Sequence, residues 1–331
     1  MIIIGIIGDP NAPGYKRKVD LLIKHSDSQL KFKKYNPSDR YNAVILRSIP
    51  ELLAYKNDNF FYMTGDNNLT YPYEWQKKLY SLIYRVKNSY IDFALRKKIS
   101  RAKGVILNSE LQKKEMLKFN KKVIYKVDPI TDSLLINKEP IFTDYGKIRL
   151  GIECGGLNVH TILLNKNFCN AIKLMKNIEL HIVIDNIKLQ VSYRIRDVFR
   201  ELKTKFKDKV FLYPFNLENY KKLMRSINIS VIPVDHNCLF SSTKSHNRAL
   251  LMIANNIPVV CTPTNSHVNY LSGLQSCRFA RSVDEWINGI NDLYTLLKKD
   301  GFPNEESKKI IINNDPINYV NTIKEFIVDN I

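Results

Sequence analysis

INISVIPVDHNCLFSSTKSHNRALLMIANNIPVVCTPTNSHVNYL, running from Ile227 to Leu271, is the stretch whose reading decides the fold. It reads as strand, polar loop, helix, strand, loop. Ile229–Pro233 is a short β-branched run closed by proline, and Ile257–Cys261 is another; Arg248–Ala254 between them is an unbroken apolar helix core. Strand–helix–strand units of this length build parallel sheets, and such sheets bind ligands at the carboxyl ends of their strands, where the polar loop falls. Ser242 or Thr243 is placed to cap the helix, and Lys244 and Arg248, four apart, then share a face of its first turns. A helix N-terminus already carries partial positive charge and orphan N–H groups, so two more cations there point to an anion such as a diphosphate. Two solvated cations on a surface helix are the plain alternative that charge alone leaves open.

The run K-S-x-N-R, an apolar helix and then N-N-I-P-V-V resembles the donor-binding segment of GT-B glycosyltransferases, K-x-x-N-R…E-A-x-A-x-G-x-P-V-V. Lys244, Ser245, Asn247, Arg248, Ala254, Pro258, Val259 and Val260 match it. Asn256 replaces the glycine that ends the helix, and asparagine also tolerates the left-handed conformation. Leu251 replaces the glutamate that grips the donor ribose, which implies an altered grip or a scaffold without catalysis. The resemblance implies an α/β protein of two doubly wound, Rossmann-like parallel-sheet domains facing a central cleft. Residues 1–140 would form the acceptor-binding domain and 148–312 the nucleotide-sugar-binding domain, with 313–331 a helix crossing back to the first. It also implies a Gly-bearing loop beside the donor phosphates at Glu153–His160, with Gly155, Gly156, Asn158 and His160 joining Lys244, Ser245 and Arg248. The donor would be a nucleotide sugar, UDP-linked by preference, and catalysis would need neither metal nor further cofactor.

Length and hydrophobic content, 331 residues and 44%, fit two domains of ordinary size, each with its own core. MIIIGIIGD opens directly into a Gly/Pro loop and reads as a buried first strand, not a signal peptide; no run approaches the ~20 apolar residues that span a bilayer. Five cysteines without close pairs fit reduced thiols in a cytoplasm, that of a host cell if the chain is phage-encoded. A monomer is expected, and no zinc spacing is present.

Charge is clustered. The net charge is +19, and Lys77–Lys126 alone holds 15 basic and 3 acidic residues. A field of that size attracts a polyanion, either nucleic acid or an anionic membrane surface. A genome-wide bias toward lysine is the alternative, but bias would spread the charge evenly.

Along the first domain, short strands at Met1–Gly8, Leu30–Tyr35, Ala43–Leu46 and Phe60–Met63 alternate with helices at Lys16–His25 and Pro50–Tyr55. The loop after the fourth strand, TGDNNLTYPYEW, places Asp66 where an acid or base is useful. It resembles the catalytic loop of phage DNA β-glucosyltransferases in the spacing of Asp66, Leu69 and Trp75, which implies Asp66 (with Asp9, in the first loop, as substitute) as general base; as plain sequence, Asp66 reads equally as a turn former. Gln76–Lys98 is the longest helix candidate, and Trp75, Lys77, Lys78 and Arg85 are the expected polyanion contacts. A strand is expected at Gly104–Leu107, with Ser109 and Gln112 as a capping box for the helix after it. In the second domain, helices are expected at 161–176, 191–206, 219–226 and 284–299, the last behind a Ser282–Glu285 capping box, and strands at 148–152, 180–184 and 210–213. The resulting expectation is a glycosyltransferase acting on hydroxylated bases of phage DNA. A glycosyltransferase of lipid-linked or envelope glycans is the alternative, and a non-catalytic nucleic-acid-binding protein on a decayed GT-B scaffold a second.

Overall fold

The computed structural model describes residues 1–8, 16–64, 93–136, 143–154, 162–163, 165–184, 188–191, 194–234 and 245–331. The chain forms two compact units. One is built from Met1–Thr131 with Thr243–Ser245 and Asn314–Ile331, the other from Asp132–Ser242 with His246–Asn313.

Among its described residues the first unit holds six strands, β1 (Ile2–Ile7), β2 (Leu30–Lys34), β3 (Ala43–Leu46), β4 (Phe60–Met63), β5 (Gly104–Leu107) and β6 (Val123–Tyr125), in the order β2-β1-β3-β4-β5-β6. Every pairing is parallel. Strands β3, β4 and β5 are buried at every position because helices cover both faces of the sheet. On one face Phe61, Met63 and Ile106 share a core with Val19 and Leu22 and with Tyr319, Val320, Ile323 and Ile327 of the last helix, Pro316–Val328. On the other, Phe60, Tyr62, Val105 and Leu107 pack with Leu52, Leu95, Ile99 and Met116. Each such side chain contributes ~1.5–3 kcal/mol by leaving water. A Cβ on Gly104 would stand 2.5 Å from the Phe326 ring, so glycine is what lets the last helix close on β5.

The second unit holds β7 (Ile148–Cys154), β8 (Ile178–Ile184), β11 (Val210–Pro214), β12 (Ile229–Ile232), β13 (Val259–Cys261) and β14 (Cys277–Phe279), in the order β11-β8-β7-β12-β13-β14. All neighbours are parallel. The chain starts in the middle, steps outward twice, then returns to the other side of β7. The direction of winding therefore reverses between β7 and β12, and the crevice at their carboxyl ends is where a doubly wound sheet receives a ligand. Helices Lys166–Leu174 and Val283–Lys299 pack through Phe168 and the buried Trp286, ring centroids 4.9 Å apart. Ser282 and Glu285 close the expected capping box on the second of these.

Several expectations need correction. β9 (Lys188–Val191) and β10 (Arg194–Asp197) pair as antiparallel strands, and among the described residues of the expected helix only Val198–Phe206 is helical. Leu189, Val191, Tyr193 and Ile195 alternate in sequence at strand period, a signal that the helical run after them obscures. Asn265–Leu271, read as loop, is a helix capped by Thr264. Asn304–Asn313 and β14 are elements that the sequence pattern did not announce. Ser109 starts the helix Glu110–Met116 without a side-chain cap hydrogen bond, so the expected capping box does not form. The expected Gln76–Lys98 helix lies mostly outside the described residues.

Candidate active site

The carboxyl edge of the second sheet is stitched by side chains from three connections. Asn165 caps the helix that follows β7, its Oδ1 accepting from the Phe168 N–H at 3.0 Å, while its Nδ2 donates to Val234 O and Thr262 Oγ1, both at 3.3 Å. Thr262, just after β13, also accepts the Val234 N–H at 3.0 Å. The exits of β12 and β13 and the helix entry behind β7 are thereby fixed together. Preorganised polar groups at such an edge cost no reorganisation when a ligand arrives.

Over this floor lies the helix Asn247–Ala254, buried at every position from Ala249 to Ala254. Its N-cap is His246 and carries no side-chain capping bond. Ser242 or Thr243 was the expected cap; the helix instead begins at Asn247, after non-helical Ser245 and His246. Arg248 is therefore the described cation of its first turn, and Lys244, expected to share its face, lies outside the described residues. The Arg248 Nε lies 3.4 Å from the Glu153 carboxylate at the end of β7, so the guanidinium stands at the point where the winding reverses. Leu251 is 6% exposed and belongs to the buried face, which accounts for an apolar residue there. Asn256 has φ +59°, the left-handed conformation expected at the helix end. Asn255, fully buried behind it, accepts from Ile136 N at 2.6 Å and donates to Leu134 O at 3.0 Å.

Two histidines support Arg248. His246 stacks on Tyr270 with centroids 3.8 Å apart, and its Nδ1 lies 2.9 Å from Ser266 Oγ. His267 donates from Nδ1 to Thr262 O at 2.7 Å, which fixes its tautomer. Burial, aided by the Arg248 charge, lowers the His267 pKa to about 4 against the pull of that carbonyl. His267 is thus neutral at physiological pH and adds no positive charge beside Arg248. A histidine whose folded pKa is depressed contributes stability above its unfolded value, lost as pH falls from about 6.5 toward 4; the 2.5-unit shift corresponds to roughly 3 kcal/mol. Acid titration followed by imidazole NMR is expected to show His267 unprotonated down to about pH 5, and protonation near its ordinary value would contradict the burial argument. Among the described residues, no three His, Cys, Asp or Glu side chains gather into a metal-binding group.

No protein-family profile matches the sequence, and no curated protein matches it. Solved structures do match in three dimensions. The HepE protein of Anabaena in complex with UDP and glucose shares 11% identity over 99% of this chain and 100% of its own, with TM-score 0.66. Sucrose-phosphate synthase of Thermosynechococcus elongatus shares 10% identity over 98% of each chain, with TM-score 0.65. The fold is GT-B. TarM matches at TM-score 0.55 and 11% identity over 86% of this chain, which spans about half, 54%, of TarM's length.

Of the sequence-predicted site residues, Arg248 lies at the GT-B switch point and Ser245 is half-buried two residues before the helix. Asp9, Asp66, Trp75, Lys77, Lys78, Arg85, Gly155, Gly156, Asn158, His160 and Lys244 lie outside the described residues. Sequence reasoning missed Glu153, Asn165, Thr262, His246 and His267. Asn165, three residues before Phe168, and Thr264, three before His267, follow capping spacing and were findable; the Glu153–Arg248 pairing joins distant segments and was not. Within the basic Lys77–Lys126 segment, Arg96, Lys97, Arg101, Lys114, Lys118, Lys121 and Lys122 are exposed on the first unit. Among the described residues no helix is long and apolar enough to cross a membrane.

Proposed function

We propose that the chain is a glycosyltransferase that holds a nucleotide sugar, UDP-linked by preference, at the carboxyl edge of the second unit's sheet. The observation that carries this reading is Arg248, in the first turn of the helix after β12, at the reversal point of a GT-B sheet. In the reaction an acceptor hydroxyl oxygen forms a bond to the anomeric carbon, the bond from that carbon to the β-phosphate oxygen breaks, and its electron pair leaves with the nucleoside diphosphate. Arg248, helped by Lys244, neutralises the charge growing on that leaving oxygen, an electrostatic role that calls for no metal. The hydroxyl proton passes to a carboxylate in the first unit, Asp66 following β4 or, as substitute, Asp9 following β1. The likeness to HepE, whose structure was solved with UDP and glucose, supports UDP as the first donor to try.

For the acceptor we propose a polyanion, because Lys77–Lys126 carries 15 basic and 3 acidic residues, and although Arg101, Lys114 and Lys118 pair with Asp58, Glu110 and Glu115, the excess of positive charge stands. Duplex DNA with a hydroxylated base comes first, the base being flipped out to reach the site; an envelope glycan on an anionic membrane comes second. Duplex DNA titrated over a salt series is expected to bind with affinity falling steeply as salt rises. A flat, weak response together with flotation on anionic vesicles moves the assignment to the membrane glycan. Incubation with a panel of nucleotide sugars is expected to release nucleoside diphosphate; silence with every donor and acceptor, alongside DNA binding, favours a non-catalytic scaffold instead.

A further inference from the structure

We infer that Glu153 is a release residue, a carboxylate that competes with the ligand's diphosphate for Arg248 and so hastens departure of the nucleoside diphosphate product. The inference rests on the donor site proposed above and deepens it. Along β7, Arg149 and Glu153 occupy positions of the same parity. Arg149 is committed to Glu179 at 3.0 Å, whereas Glu153 reaches across the crevice to Arg248. The 3.4 Å separation is loose for a charged pair, and both side chains are about a quarter exposed, 26% for Glu153 and 28% for Arg248. Water and ligand can therefore reach the guanidinium while Glu153 holds one edge of it. A guanidinium has further donors in its fork, so a diphosphate can bind on the remaining edge or displace the carboxylate.

Either way a carboxylate stands a few ångströms from an anion. The product, a free nucleoside diphosphate, carries one more negative charge than the sugar-bound donor at neutral pH and above. Repulsion from Glu153 scales with ligand charge, so it penalises the product more than the donor. His267, which lies beside Arg248, is uncharged above pH about 4 and does not offset that repulsion. Tight leaving-group contacts that serve the transition state also retain the product, and release limits the turnover of many transferring enzymes. A like charge at the rim of the anion site relieves that conflict.

The test is calorimetric binding of UDP and UDP-glucose to the full-length chain, to Glu153→Gln and to Glu153→Ala, with thermal melts showing that each variant is folded. Removing the carboxylate is expected to tighten UDP on the order of five- to tenfold, and UDP-glucose by less. The glutamine variant keeps the shape and removes the charge, so agreement between the two variants assigns the effect to charge. UDP binding that is unchanged or weakened in both variants overturns the release role and leaves the donor site standing, as does an equal gain for UDP and UDP-glucose. If neither the wild-type chain nor the variants bind any nucleoside diphosphate, the donor-site reading itself falls.

Discussion

Replacing Lys18 by methionine is expected to cost the first unit about 3–5 kcal/mol, the largest stability effect of any single change considered for this chain. Lys18 Nζ and the Asp128 carboxylate lie 2.6 Å apart with 6% and 5% of their side chains exposed. Water can help neither charge, so removing one leaves the other buried without this partner. The pair ties the helical turn after β1 to the segment after β6, and both connections emerge from the carboxyl edge of the first sheet. Hydrogen exchange resolved by peptide is the suitable measurement, because two units need not unfold together and one global midpoint would blur them. Lys18→Met should lower protection across β1 and β6 while leaving the second unit's strands unchanged. A double variant, Lys18→Met with Asp128→Leu, should recover much of the loss, since neither member of the pair is then left as a buried charge. A loss below about 1 kcal/mol in the single variant would show that the pair is reached by water after all.

The second large effect concerns Arg248. Arg248→Ala is expected to lower turnover of the nucleotide sugar by about a hundred- to a thousandfold, the usual loss when one preorganised donor to a developing charge is removed. Its ion pair with Glu153 is partly exposed, so the variant should fold and melt close to the wild type. Arg248→Lys should recover part of the loss, because lysine returns the charge without the planar fork. Turnover within about twofold of wild type would remove Arg248 from the chemistry. Glu153 then becomes an ordinary surface partner.

Much of this architecture is legible in the sequence because buried parallel strands are written as short apolar runs. Ala43–Leu46, Phe60–Met63 and Gly104–Leu107 were each read at the residues that form them. The helix end was legible too, since Asn256 was read as tolerating the left-handed turn it makes. Helix starts were harder. Ser242 or Thr243 reads as the cap of the helix, yet Ser245 and His246 are non-helical and the helix begins at Asn247 with His246 as its N-cap. The strand pair β9 and β10 was lost for another reason, as its strand alternation runs directly into the helix Val198–Phe206. Leu251 could be seen as a departure from the glycosyltransferase motif, but only burial explains it as a core residue. The supports of the candidate site were mostly illegible. Asn165, Thr262 and Glu153 come from three different connections and converge only once the sheet is wound.

A crystal structure of the chain soaked with UDP tests the central claim most directly. The account predicts the diphosphate at the carboxyl ends of β7 and β12, with at least one phosphate oxygen within hydrogen-bond distance of the Arg248 guanidinium. A diphosphate bound elsewhere in the second unit, with Arg248 still held by Glu153 alone, would contradict it.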